Sequence, residues 1–262
     1  MTLTTTVATT LTPLTGHLGA RVDAPDLAAI LTDDAARGEL RTALHEYGVL
    51  VFKQAHPTPE QLIELGSVFG TPEPPAAQNV SHPDHENICV FDSAGGYKAD
   101  KWHADLTFTD QPTAGAVLTM IQRPSVGGDT VWTNVGAAYD RLSNGMKQLL
   151  EKRRALHEIS PGVGAMHPVV LTHPVTGRKV IYVNEIFVRG IQNLPDGEGE
   201  AILGFLLQHI QSPDFQYRHV WDEGDIVAWD NHLTQHYAAN DFTEQRIVHR
   251  VGFLGAPLGG PA

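Results

Sequence analysis

The chain has 262 residues, a formal net charge of −12 and one cysteine. That charge balance argues against a nucleic-acid partner, because phosphate recognition needs clustered Lys and Arg, and a lone thiol rules out an intramolecular disulfide framework. The opening Met1-Thr2-Leu3-Thr4-Thr5-Thr6 lacks a basic and an apolar signal region, and no stretch approaches the roughly 18 apolar residues of a membrane span. The expectation is therefore a cytoplasmic protein with no membrane partner, organised as a single domain over 1–262. Cys89, within Ile88-Cys89-Val90-Phe91, reads as a buried small hydrophobe.

In chain order, Leu40, Ala43, Leu44 and Tyr47 share helical spacing between Thr32 and Gly48, with Gly48 as the stop. Val49–Phe52 reads as a buried strand. Thr58-Pro59-Glu60-Gln61 has the capping-box pattern with proline at the first helical position, and Leu62, Leu65 and Phe69 follow on one face. From about residue 87 the pattern becomes short apolar or alternating runs: 88–91, 116–121, 130–132, 169–172, 180–183, 216–221, 226–229 and 248–254. Gly, Pro, Asp and Asn punctuate them, as in a sandwich or barrel of short strands. One helix interrupts the series, its stripe formed by Ile202, Leu203, Leu206, Leu207 and Ile210 after the turn at 194–197. The predicted architecture is mainly β with flanking helices, a double-stranded β-helix or jelly roll.

The chemistry-bearing residues are fewer. Trp102-His103-Ala104-Asp105 places an imidazole and a carboxylate two residues apart, so on a strand both side chains share a face. His236, in Gln235-His236-Tyr237, is the best third ligand from a distant strand. Two imidazoles and one carboxylate can cap one face of an octahedral metal and leave the other open, the pattern of non-haem Fe(II) centres. Spacing alone is a weak signal in a chain with fourteen histidines. A 2-oxo acid on the open face needs a cationic fork for its far carboxylate, and Arg246 and Arg250 offer guanidinium groups four residues apart. An ordinary surface pair fits the same spacing. Thr130 adds a hydroxyl, although Gly127-Gly128-Asp129 before it is also plain turn chemistry.

Taken together, five ordered blocks resemble the taurine dioxygenase family, which includes alkylsulfatases and phenoxyacetate dioxygenases. They are Trp102–Phe108, Gly127–Trp132, His167–Pro174, Tyr182–Glu185, and Trp229-Asp230-Asn231 through His236 to Arg250. The resemblance implies a jelly-roll core, Fe(II) and 2-oxoglutarate. It implies His103, Asp105 and His236 as iron ligands, Thr130 and Arg246 as the clamp on the distal carboxylate of 2-oxoglutarate, and Arg250 as the contact to a substrate anion. Trp102 reads as packing beside the ligands. Phe187 and Phe108 are candidates for the apolar part of the substrate pocket, or for core. The implied reaction is hydroxylation of a small anionic organic substrate (a sulfonate, an alkyl sulfate, or an aryloxy or carboxylic acid) by dioxygen, with fragmentation where the new hydroxyl sits beside a heteroatom. Asp105 favours this over halogenation, in which the carboxylate is replaced by a small residue. Family members often form dimers or tetramers, so the resemblance implies a homo-oligomer of either kind.

Some positions depart from the pattern. Pro75 and Gln78 stand where the taurine enzymes carry a histidine and a tyrosine, and Ala99 stands in place of an asparagine, which puts taurine itself in doubt. His82 and His85 are nearby substitutes, or solvated loop histidines. The stretch between His157 and His167 is much shorter than in the taurine enzymes, where it contributes a lid. The competing readings are a Zn²⁺ hydrolase using the same three ligands, a non-catalytic jelly-roll protein, and the same cofactor chemistry in specialised-metabolite biosynthesis by desaturation or oxidative decarboxylation.

Overall fold

Val49-Leu50-Val51-Phe52 contains no polar residue, and the fold uses both of its faces. Val49 and Val51 join a core with Trp132 and Trp229, whereas Leu50 and Phe52 join a second core beneath helices. The period-two alternation of a strand makes that division. Its partner repeats it: Val227 and Trp229 face the first core, Ile226 and Ala228 the second.

The computed structural model describes residues 10–23, 26–76, 79–96 and 99–258. Strand Val49–Phe52 lies in a nine-stranded sheet in the order Leu11–Pro13, Ala20–Val22, Val49–Phe52, Ile226–Asp230, Gly115–Gln122, Ile247–Leu254, Cys89–Asp92 and Val80–Ser81, with Thr71–Glu73 also on Ile247–Leu254. All its pairings are antiparallel except Ala20–Val22 with Val49–Phe52. A three-stranded sheet, Gln216–His219, Thr130–Asn134 and Thr234–Ala238, closes over it. Leu118, Met120, Trp132, Trp221, Trp229 and Val248 fill the space between. This is the expected jelly-roll core.

Helices cover the outer face of the large sheet. The one expected between Thr32 and Gly48 spans Asp34–Tyr47; Asp33 caps it by accepting from the Ala35 and Ala36 amides, and Gly48 ends it at φ 71°. A Cβ at Gly48 would sit 3.0 Å from Leu18 Cδ1, so conformation and space both favour glycine there. The Thr58 capping box forms as expected, with Gln61 N donating to Thr58 Oγ1 at 3.2 Å and Thr58 N donating to Gln61 Oε1 at 3.0 Å. The Ile202–Ile210 stripe lies on Asp196–Ile210 and packs into a third core with Leu150, Val180 and Ile181.

Some elements differ from expectation. The runs at 169–172, 180–183 and 216–221 shorten to Val170–Thr172, Lys179–Ile181 and Gln216–His219. An unexpected three-stranded sheet orders Val163–Pro168, Arg154–Ser160 and Val188–Ile191. His157, fully buried on that middle strand, reads as polar and so breaks the apparent alternation. The His157–His167 stretch is a hairpin turning at Gly162, φ +80°, in place of a long lid. Among the described residues, no helix is long and apolar enough to cross a membrane.

Candidate active site

His103 and His236 face each other across an antiparallel bridge: His103 N donates to His236 O at 3.0 Å and His236 N to His103 O at 2.8 Å. Residues so paired project side chains to one face, and the two imidazole centroids are 4.3 Å apart. His236 comes from strand Thr234–Ala238. Asp105 does not come from a strand, which corrects the alternation expected for His-x-Asp. It begins a turn, and Leu106 after it sits at φ 53°, a left-handed conformation uncommon for a leucine. The turn, rather than a pleat, swings the carboxylate inward. Asp105 Oδ1 ends 3.8 Å from His103 Nε2 and 3.9 Å from His236 Nε2.

All three side chains are buried, and their ligand atoms lie within 4.8 Å of one another. His103 Nδ1 is 2.8 Å from the Lys101 carbonyl, which can only accept, so Nδ1 carries the proton and Nε2 presents its lone pair inward. Burial first, and His103 second, push His236 down to about 3, so at neutral pH it is an uncharged imidazole suited to a metal. Burial alone would raise the Asp105 carboxyl; Arg250, His236, His103 and the Asn231 amide together outweigh it and hold Asp105 well below the usual carboxylate range. Arg250 Nη1 donates to Asp105 Oδ1 at 2.8 Å. Asn231 Nδ2 donates to Asp105 Oδ2 at 3.2 Å and to the Thr113 carbonyl at 3.1 Å, while its Oδ1 accepts from Trp229 Nε1 at 2.9 Å. His103 and Asp105 are thus oriented by groups other than a metal, whereas His236 Nδ1 has no hydrogen-bond partner among the described residues; two imidazoles and a carboxylate fit a divalent transition ion.

A cleft opens beside this set. Its polar lining includes His103, His236, Thr130, Arg246 and Arg250, with Asp92, Ser93, Asp100 and Asn240 as well, and Phe91, Leu118, Trp132, Trp229 and Val248 form apolar walls. Arg246 immediately precedes strand Ile247–Leu254, and Val248 and Arg250 follow it toward the same cleft. Arg246 is only 8% exposed. Its Nε donates to the Gly128 carbonyl at 2.9 Å and its Nη2 approaches Thr130 Oγ1 at 3.4 Å. Among the described residues it enters no ion pair; Asp129 is taken by Arg218 at 2.6 Å. Burial pushes its guanidinium down to about 10, still cationic at neutral pH. A buried, unneutralised cation at a cleft wall is costly unless an anion completes it.

The taurine catabolism dioxygenase TauD, TfdA family model matches residues 10–251. The chain belongs to this family. An alkylsulfatase from Acinetobacter baylyi is 31% identical over 94% of this chain and 84% of its own length. An (S)-phenoxypropionate/alpha-ketoglutarate-dioxygenase from Sphingobium herbicidovorans is 32% identical over 94% of this chain and 95% of its own. The crystal structure of a taurine dioxygenase from Burkholderia xenovorans superposes with a TM-score of 0.88 at 30% identity, covering 97% of this chain and 92% of that one.

Within this TauD/TfdA fold the structure separates the remaining candidates. Ala99 lines the main cleft, as its alignment implies, and Gln78 lies outside the described residues. Pro75 lines a separate small cavity, with Glu73, Leu106, Cys89 and Arg250. Cys89 is buried, and burial pushes its thiol up to about 11. His82 packs edge-on against His249, and neither His82 nor His85 lines the cleft. Phe187 is 8% exposed, packs on Phe108 at 5.1 Å and does not line the cleft. Trp102 packs edge-on against Tyr237 at 4.6 Å.

Three site-shaping residues escaped the sequence reading: Glu73, which accepts from Thr113 Oγ1 at 2.5 Å, Asn231, and Trp221. Asn231 was legible only as part of Trp-Asp-Asn; nothing in the sequence singled out the other two. A second His-His-Asp group, His45, His173 and Asp230, also clusters closely. His173 Nδ1 accepts from the Val175 and Thr176 amides, so its Nε2 carries a proton and donates to Asp230 Oδ2 at 2.9 Å. That group is a hydrogen-bonded tie, with no histidine lone pair from His173 for a metal.

Proposed function

We propose that the chain is an Fe(II)- and 2-oxoglutarate-dependent dioxygenase that hydroxylates a small anionic organic substrate, a sulfonate, an alkyl sulfate, or an aryloxy or carboxylic acid. The observation that carries this reading is Arg246, a buried guanidinium with no carboxylate partner among the described residues, on the wall of the cleft that holds the triad. A hydrolytic zinc site gives such a cation nothing to do. The distal carboxylate of 2-oxoglutarate gives it a bidentate partner, with the Thr130 hydroxyl beside it.

His103 Nε2, His236 Nε2 and the Asp105 carboxylate would hold the iron. When bound, iron and 2-oxoglutarate supply the oxidation: dioxygen and 2-oxoglutarate become succinate and CO₂ as one oxygen atom enters a substrate C–H bond. The chain supplies position and charge. Lys101 and Asn231 orient the ligands. Phe91, Trp132, Trp229 and Val248 keep the cleft apolar around the reacting carbon. Arg250 aims the substrate anion, an orientation role. Because Arg250 already donates to Asp105, a substrate anion there shares its guanidinium with the ligand set. A hydroxyl placed on the carbon that bears a sulfonate sulfur, a sulfate-ester oxygen or an aryl ether oxygen then collapses, with cleavage of that C–S or C–O bond, to a carbonyl compound plus sulfite, sulfate or a phenol respectively.

The test is dioxygen uptake by anaerobically Fe(II)-loaded protein, with and without 2-oxoglutarate, across sulfonates, alkyl sulfates, aryloxy acids and uncharged ester and alcohol counterparts of each. Uptake that requires both Fe(II) and 2-oxoglutarate and rises with one class of anion supports the reading. Uptake that rises only with uncharged compounds removes the anionic substrate from it.

A further inference from the structure

We propose that Trp221 is a positioning residue for 2-oxoglutarate: its indole N–H turns the Thr130 hydroxyl proton into the cleft. The inference rests on the reading of Thr130 as part of the carboxylate clamp.

The argument is a count of lone pairs. A threonine hydroxyl has one proton to donate and two lone pairs to accept with. Trp221 Nε1 donates to Thr130 Oγ1 at 3.0 Å. Arg246 Nη2 approaches the same oxygen at 3.4 Å. Both partners are donors only, so both lone pairs are committed. Among the described residues Thr130 Oγ1 donates to nothing. Thr130 lines the cleft, so its remaining direction, the O–H bond, faces the space the carboxylate would fill. A donor already aimed at its acceptor loses less freedom on binding.

The indole is well placed to enforce this. Trp221 is 3% exposed and stands edge-on to His219 with centroids 4.5 Å apart. It follows strand Gln216–His219, which pairs with the Thr130 strand through His219↔Thr130. The same end of this strand pair therefore carries both the hydroxyl and the group that orients it. Without the N–H, only the longer contact from Arg246 Nη2 at 3.4 Å restrains rotation about the Thr130 Cβ–Oγ bond.

The experiment is calorimetric binding of N-oxalylglycine, an analogue of 2-oxoglutarate, to Mn(II)-loaded protein for wild type, Trp221→Phe, Thr130→Val and the double variant. Trp221→Phe is expected to weaken binding about two- to tenfold, the scale of one neutral hydrogen bond. In the Thr130→Val background the same change should have no further effect. Equal losses in both backgrounds would mean that Trp221 acts through packing and would overturn the proposal, as would full affinity in Trp221→Phe alongside a loss in Thr130→Val. Full affinity in Thr130→Val would instead overturn the clamp itself, and this inference with it. If Trp221→Phe does not fold, benzothienylalanine at position 221 keeps the ring volume and lacks the N–H, and the same pattern is expected.

Discussion

Replacing Arg246 by glutamine should selectively remove recognition of the distal carboxylate of 2-oxoglutarate. Arg246 Nε is committed to the Gly128 carbonyl at 2.9 Å, which leaves the two terminal nitrogens toward the cleft. Hydrogen bonds to a charged partner contribute about 1.5–3 kcal/mol, which is about 10- to 150-fold in affinity. The assay is calorimetric binding to Mn(II)-loaded protein of two ligands, 2-oxoglutarate and 2-oxobutanoate, which shares the metal-binding end and lacks the distal carboxylate. Arg246→Gln should weaken the first by that factor and the second by less than about twofold, because neutral Gln loses only what the carboxylate gained. An equal loss for both ligands would mean that Arg246 supports the fold of the cleft, not the carboxylate. Unchanged binding of 2-oxoglutarate would refute the clamp.

Four further outcomes follow from the same geometry. His103→Ala should abolish metal-dependent succinate formation, and near-normal succinate from that variant would sink the triad. Asn231→Ala removes the amide that holds Asp105 Oδ2 at 3.2 Å and should weaken Mn(II) binding about 10- to 100-fold, read by calorimetry. Gly128→Ala forces a Cβ to within 2.9 Å of Pro124 and 3.2 Å of Arg246 Cδ at a φ of +74°, so both thermal stability and 2-oxoglutarate affinity should fall. Asp225 is raised by burial but more strongly lowered by His219, Lys53 and two backbone amides, to about 2. A depressed carboxyl contributes stability that is complete above its ordinary value of 3.8 and lost as pH falls toward 2. Asp225→Asn should flatten the denaturation midpoint over that window, and an unchanged slope would contradict the assignment.

Much of the fold was legible because its signals are local. The Thr58–Gln61 box, the Gly48 stop and the alternating strands each declare themselves within a few residues. The sheet at Val163–Pro168, Arg154–Ser160 and Val188–Ile191 was not, because buried His157 carries a polar label at an inward position. The site divides along the same line. His103, Asp105, His236, Thr130 and Arg246 do meet around one cleft or its edge, and the ordered motif blocks pointed to them. How Asp105 gets there was misjudged, because a left-handed leucine leaves no mark in the sequence. Trp221 and Glu73 act through contacts 91 and 40 residues away, and no periodicity reports such partners.

The most direct test of the central claim is succinate formation by the purified protein with Fe(II), 2-oxoglutarate and an anionic substrate, run in air and under argon. The account predicts succinate in air in step with dioxygen consumed, none under argon, and none when Zn²⁺ replaces Fe(II). Substrate conversion that continues under argon, or with Zn²⁺ alone, would show a hydrolase and contradict it.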